Sequence, residues 1–272
     1  VYLLASSSSS ASNDDDGLDD ELTLFQTHVD SLPLDTDDGF GTLLVAGTAT
    51  NDDDFAIVDM DLFRDVLVLY KRSIRNGSQR LRIIKRSDDG EGDCVVDISP
   101  HQLMNPCGNM NYNAPSVQFN VESPVMVPLT YDYNFSDQTT ISSSSLQQSS
   151  SSHHPHIISL KEAKHDDDKY VHTRVLVENG NDGVQVPLTL IHKQDVDPFQ
   201  RVTNPVVLVG YGAYGEPVMP GYDPTVAAPL VDRGVIMAYA HTRGGGDLGR
   251  AWYHGGRLYN KRNAVDDYHA CA

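Results

Sequence analysis

Two glycine-rich segments, Gly210-Tyr211-Gly212-Ala213-Tyr214-Gly215 and Gly244-Gly245-Gly246-Asp247-Leu248-Gly249, are where this 272-residue sequence has the composition and spacing to do chemistry. Each satisfies G-x-G-x-x-G, and each follows an apolar run, 205–209 and 235–240. One chemistry with that signature is dinucleotide binding, in which the glycines open a helix whose N-terminus holds a pyrophosphate. The flanking residues argue against it. Pro217, Pro220 and Pro224 follow the first segment and forbid a regular helix, while Gly255 and Gly256 break the stretch after the second. Neither is a P-loop, because no Gly-Lys-Ser/Thr follows. The other chemistry is acyl transfer: a tyrosine hydroxyl at the C-terminal edge of a sheet can donate to a developing oxyanion. Tyr211 and Tyr214 stand in such a place, although on composition alone packing of the turn is the commoner role. His153, His154 and His156 could ligate a metal, but their serine-rich tract offers no cysteine or carboxylate partner, so a solvated loop is expected.

The elements that must position these segments fall into two kinds. Short apolar or alternating runs at 55–60, 66–70, 81–85, 94–98, 116–120, 125–129 and 131–133 are separated by turn residues and read as antiparallel β meanders. Blade-like sheets are one way to stack them, although no strict internal repeat is visible. From 170 the pattern changes. Runs 170–177 and 184–191 flank a hairpin turn, Asn179-Gly180-Asn181-Asp182-Gly183, and the continuous runs 205–209 and 235–240 suit strands of a parallel sheet buried on both faces. A helix is expected over 262–272, with a weaker one over 226–231 that Pro229 confines to a first turn. The sequence thus divides into a β region, 1–165, and an α/β region, 170–272.

Composition removes several classes of function. Asp and Glu number 38 against 20 Lys and Arg, a formal net charge of −18, which disfavours nucleic acid and anionic membrane surfaces as partners. The acids are 32 Asp and 6 Glu, a balance suited to turns and loops over helix interiors. No run of about 18 apolar residues is present, so no membrane span is expected. Cys94, Cys107 and Cys271 form neither a CxxC pair nor a dense framework, which suits a cytoplasmic, thiol-reduced setting. Polar tracts at 1–20 and 142–156 are expected to be disordered, and Val1 is read as a cut end, since no initiator Met precedes it. Two triplets, Asn76-Gly77-Ser78 and Asn134-Phe135-Ser136, fit the glycosylation sequon, a pattern common by chance.

Five ordered motifs then point further. They are the run 205–215 ending in the first glycine segment, Val231-Asp232-Arg233-Gly234-Val235, the stretch 241–253 beginning His241-Thr242-Arg243-Gly244, Asn260-Lys261-Arg262-Asn263, and Asp266-Asp267-Tyr268. In this order they resemble the prolyl oligopeptidase family of serine peptidases, its oligopeptidase B branch in particular. The likeness extends loosely upstream to about residue 38. It implies a mixed fold, late blades of a β-propeller followed by the first part of an α/β-hydrolase domain. It also implies a serine endopeptidase that cleaves short peptides, after basic residues in the oligopeptidase B manner, with no metal or organic cofactor. By the resemblance Tyr211 matches the tyrosine whose hydroxyl helps form the oxyanion hole, and Tyr214 matches an aromatic position lining the substrate pocket. Arg243 and its glycines shape the active-site face. The sequence departs from the family at the nucleophile: no serine is flanked by glycines at both i−2 and i+2, as the Gly-x-Ser-x-Gly elbow requires. The expectation is therefore a fragment that stops before the catalytic serine and is inactive alone. The competing expectation is a triad-less relative that binds peptides or another partner without cleaving.

Overall fold

The computed structural model describes residues 55–85, 94–98, 102–136, 169–200 and 204–272, together with the backbones of strands at 2–6, 22–26, 42–45, 139–142 and 156–159. Strands β1 (Tyr2–Ser6), β2 (Leu22–Gln26) and β3 (Thr42–Val45) form an antiparallel sheet in sequence order. A five-stranded sheet follows from β4 (Phe55–Leu62), β5 (Val66–Ser73), β6 (Gln79–Lys85) and β7 (Cys94–Asp97), neighbours in a meander. A four-stranded meander contains β8 (Leu103–Pro106), β9 (Ser116–Ser123), β10 (Met126–Asn134) and β11 (Thr139–Ser142). Strand β12 (His156–Ser159) returns to pair parallel with β7.

The period-two pattern explains why these sheets pack. On β6, Leu81 and Ile83 are fully buried while their neighbours are partly exposed, and on β9 Val117, Phe119 and Val121 alternate in the same way. The two inward faces share one core, with Phe119 stacked on Tyr131 at 5.6 Å between ring centroids and Phe63 edge-on to Phe135 at 4.9 Å. Strand β5 is buried along its whole length, and Leu67 and Leu69 on its other face pack in a second cluster with Ile57, Met60 and Ile84. The runs 125–129 and 131–133 prove to be one strand. Pro128 falls at an irregularity between Met126 and Leu129, where its missing N–H interrupts no regular ladder.

The second region is a mixed sheet in the order β13 (Tyr170–Glu178), β14 (Gln185–Lys193), β16 (Ile236–Ala240), β15 (Val206–Gly210). The first two are an antiparallel hairpin, and β15 runs parallel to β16. Helix α1 (Ala227–Asp232) packs on one face through Ala227 and Val231, and α3 (Lys261–Cys271) packs on the other through Tyr268 and Cys271. Pro229 is the third residue of α1, inside the first turn, where its missing N–H has no helical partner to lose. Strand β16 is buried throughout, as a continuous apolar run suggests, whereas β15 leaves Val206 and Val209 exposed because it forms the edge of the sheet. The parallel register sets Gly210 opposite Ala240, so both glycine segments leave the sheet side by side from its C-terminal end.

Two expectations for the polar tracts need comment. Within 1–20, Tyr2–Ser6 is the strand β1, paired with β2. The remainder, 7–20, lies outside the described residues, as do 143–155 with His153 and His154; His156 opens β12. Phe119→Ala, which empties the centre of the shared core, is expected to cost about 3–5 kcal/mol in urea denaturation. A loss below about 1 kcal/mol would show that the two meander sheets do not share this core.

Candidate active site at the C-terminal sheet edge

The two glycine segments touch backbone to backbone. Gly215 N–H donates to the Gly244 carbonyl at 3.0 Å, and Gly244 N–H donates to the Trp252 carbonyl at 3.0 Å. Gly244 has φ +90°, and a Cβ there would stand 2.4 Å from the Gly212 carbonyl oxygen, so both the left-handed backbone and the contact require glycine. Gly210 lies under the Tyr268 ring of α3, where a Cβ would meet ring carbons at 2.7 and 2.9 Å. These glycines therefore exist to let two loops and a helix close on one another. Four of the loop amides make internal bonds, those of Gly215 and Gly244 above, Gly245 N–H to Thr242 and Gly249 N–H to Gly246. The helical turn after Gly249, α2 (Arg250–His254), is only five residues long, too short to present a pyrophosphate site.

A buried ion pair anchors this end of the sheet. Arg243 leaves β16 and grips Asp267 of α3 through Nε at 2.9 Å, Nη2 at 2.7 Å and its own backbone N–H at 2.9 Å. Asp267 is fully buried, and Asn179 of the β13–β14 turn adds a further donor at 2.7 Å. The remaining Arg243 nitrogen, Nη1, reaches Asp182 of the same turn at 2.6 Å. That hydrogen bond holds the Asp182 carboxyl below the usual carboxylate range. One guanidinium thus ties the hairpin turn, the second glycine loop and α3 together.

Tyr211 and Tyr214 sit on the first glycine loop with ring centroids 6.4 Å apart. They are 58% and 82% exposed, so packing of the turn does not account for them. Among the described residues, the Tyr211 hydroxyl has no hydrogen-bond partner. Tyr214 holds φ +58°, a left-handed conformation that is unfavourable for an aromatic residue and is concentrated at functional sites. Beneath Tyr211, the Lys261 ammonium of α3 donates to the Gly212 carbonyl and fixes the loop from below.

A second polar assembly was not anticipated from the sequence. His241 Nδ1 lies 2.8 Å from Asp247 Oδ1, and its Nε2 lies 2.8 Å from Thr189 Oγ1. This Thr–His–Asp line has the distances of a hydrolase triad, but its surroundings forbid that role. Arg174 Nη2 is 2.9 Å from the same Nε2, and a guanidinium can only donate, so Nε2 is an acceptor and the proton sits on Nδ1 facing Asp247. Thr189 and His241 are 2% and 3% exposed, which leaves no access for a substrate. Burial, opposed by Asp247, pulls the His241 pKa below its ordinary 6.5 and holds the ring neutral. The arrangement braces β13, β14 and the second glycine loop; Arg174 and Thr189 gave no signal beyond being polar residues in apolar strands.

Comparison with known proteins adds the context for this geometry. Residues 220–272 match the prolyl oligopeptidase family. A prolyl endopeptidase-like protein of Rattus norvegicus is 31% identical over 220 residues, 79% of this chain and 26% of that protein. Protease 2 of Moraxella lacunata is 38% identical over 93 residues, 34% of this chain and 13% of that protein. The C-terminal part of the chain, residues 220–272, carries the sequence pattern of the prolyl oligopeptidase family. Oligopeptidase B from Trypanosoma brucei, solved in a closed form with covalently bound antipain, superposes with a TM-score of 0.71 at 26% identity, covering 92% of this chain and 32% of that one. The chain spans about a quarter of the length of the curated prolyl oligopeptidase relative it matches over 220 residues. Among the described residues, no helix is long and apolar enough to cross a membrane.

Two outcomes follow from the buried groups. Asp267→Asn leaves the Arg243 charge to the half-exposed Asp182 and is expected to cost about 3–5 kcal/mol in chemical denaturation, with the Arg243→Met/Asp267→Leu pair less damaging than the single change. Because the folded pKa of His241 lies below 6.5, the unfolded chain takes up that proton first on acidification. Stability from this group is complete above about pH 6.5 and falls below it, by up to about 1.4 kcal/mol per pH unit. His241→Gln should flatten the urea midpoint between pH 7.5 and 5.5; an unchanged slope would show that His241 is not the titrating group.

Proposed function

We propose that this chain supplies the oxyanion side of the active site of a serine oligopeptidase. In this reading, residues up to about 165 are late blades of a β-propeller and residues 170–272 open an α/β-hydrolase domain. The observation that carries it is the Tyr211 hydroxyl, exposed and unpartnered at the C-terminal end of a parallel strand, on a loop fixed by Gly244 and Lys261. That is where α/β folds bind ligands, and a fixed donor there costs no reorganisation as negative charge develops.

The chemistry is acyl transfer. A seryl oxygen attacks the peptide carbonyl carbon while a histidine takes its proton, and the carbonyl oxygen becomes an oxyanion that accepts a hydrogen bond from Tyr211. Collapse of the tetrahedral intermediate breaks the C–N bond, the histidine returns the proton to the departing amine, and water hydrolyses the acyl-enzyme by the same sequence. No serine of this sequence has the Gly-x-Ser-x-Gly flanks of such a nucleophile, and His241, locked to Arg174 and Asp247, does not serve as the base. Tyr214, strained and exposed beside Tyr211, contacts the bound peptide. Short peptides cleaved after Lys or Arg are the proposed substrates, since the family resemblance and the net charge of −18 both favour a cationic ligand. A cytoplasmic setting suits three cysteines that form no disulfide among the described residues.

The test is Tyr211→Phe in the intact enzyme, assayed on a small amide substrate. Loss of the hydroxyl should lower kcat by about 10²–10³-fold with little change in KM. An unchanged kcat would remove Tyr211 from the oxyanion hole.

A further inference from the structure

A small cavity lies at the seam between the five-stranded sheet and the mixed sheet, lined by Arg72 of β5, Arg174 of β13, Gln79, Gln102, His241 and Asp247. Its volume is about 40 Å³, whereas a single water needs about 10–15 Å³, so it has room for a small ion or a few waters. Arg72 is 9% exposed, and its Nε–H has no partner; Arg174 Nη1 is likewise buried and unpartnered. The other Arg72 contacts are weak, to the Gly246 carbonyl at 3.3 Å and the Met219 sulfur at 3.4 Å.

The charges around this cavity do not balance. Among the described residues, two guanidinium groups line the cavity with one carboxylate, Asp247, whose Oδ1 is already shared by His241 Nδ1 at 2.8 Å and Val218 N–H at 2.9 Å. His241 is neutral and adds no charge. Burial lowers the pKa of both arginines from the ordinary range, with Asp247 opposing it only in part. Water could satisfy the two orphan N–H groups but could not neutralise the surplus positive charge, and an uncompensated buried charge is strongly unfavourable.

We propose that this cavity binds one small monovalent anion of the halide class, chloride in the cell, between Arg72 Nε–H and Arg174 Nη1–H. A companion water donates to Asp247 Oδ2, the one carboxylate oxygen there without a partner. The single surplus charge matches a monovalent ion. The ion joins a residue of the meander sheets to one of the mixed sheet, so its effect is on the stability of the seam and does not depend on the proposed peptidase activity.

The experiment is thermal unfolding of the intact protein at constant ionic strength, with sodium chloride or bromide replacing sodium gluconate, together with anomalous diffraction from bromide-soaked crystals. The expected results are a saturable rise of a few degrees in Tm with either halide, absent in Arg72→Gln, and an anomalous peak between Arg72 and Arg174. Identical Tm in gluconate and halide, or a halide response that persists in Arg72→Gln, would overturn the site. Should Arg72→Gln fail to fold, the wild-type crystals decide: no peak between the two arginines overturns it equally.

Discussion

The backbone contact between the two glycine loops is the constraint on which the rest of the site end depends. Gly244 can approach Gly212 only without a Cβ and only in a left-handed conformation, and that approach fixes where the Tyr211 loop turns. Loops held by so few contacts would be mobile in isolation. Here Arg243 draws three elements onto Asp267, while Lys261 and Tyr268 of the same helix hold the first loop and the strand before it. The buried pair is costly to desolvate and is tolerated because every Asp267 oxygen is hydrogen-bonded.

The same loops also meet the meander sheets. Arg72 reaches the carbonyl of Gly246, and Glu122 of β9 accepts from Tyr222 N–H at 2.9 Å while Asn105 donates to its other oxygen at 2.7 Å. The segment that follows the Tyr211 loop is therefore clamped from both sides, by its own sheet and by the neighbouring one. This makes the seam part of what holds the segment that follows the proposed oxyanion donor.

Much of this was legible in the sequence. The period-two runs marked the meanders, the Asn179–Gly183 turn residues marked the hairpin, and the glycine spacing marked two loops that meet, with Tyr211 and Tyr214 on one of them. What was not legible were pairings that depend on helix phase or on distance along the chain. Asp266 and Asp267 look alike in sequence, yet successive helical residues point about 100° apart. Asp266 pairs with the exposed Arg262, while Asp267 faces inward to Arg243. The exposure of β15 was likewise hidden, because an apolar run reads the same whether it is central or at an edge. The assembly of Arg174, Thr189, His241 and Asp247 draws on two strands and a loop up to 73 positions apart, and no local pattern announces it.

The most direct test of the proposed function is a crystal structure of the full-length protein with a peptide aldehyde bound as a hemiacetal, which mimics the tetrahedral intermediate. The prediction is that the Tyr211 hydroxyl lies about 2.7–3.1 Å from the hemiacetal oxygen, on a loop still bonded from Gly215 N–H to the Gly244 carbonyl. A Tyr211 hydroxyl turned away from that oxygen, with another donor in its place, would contradict the account.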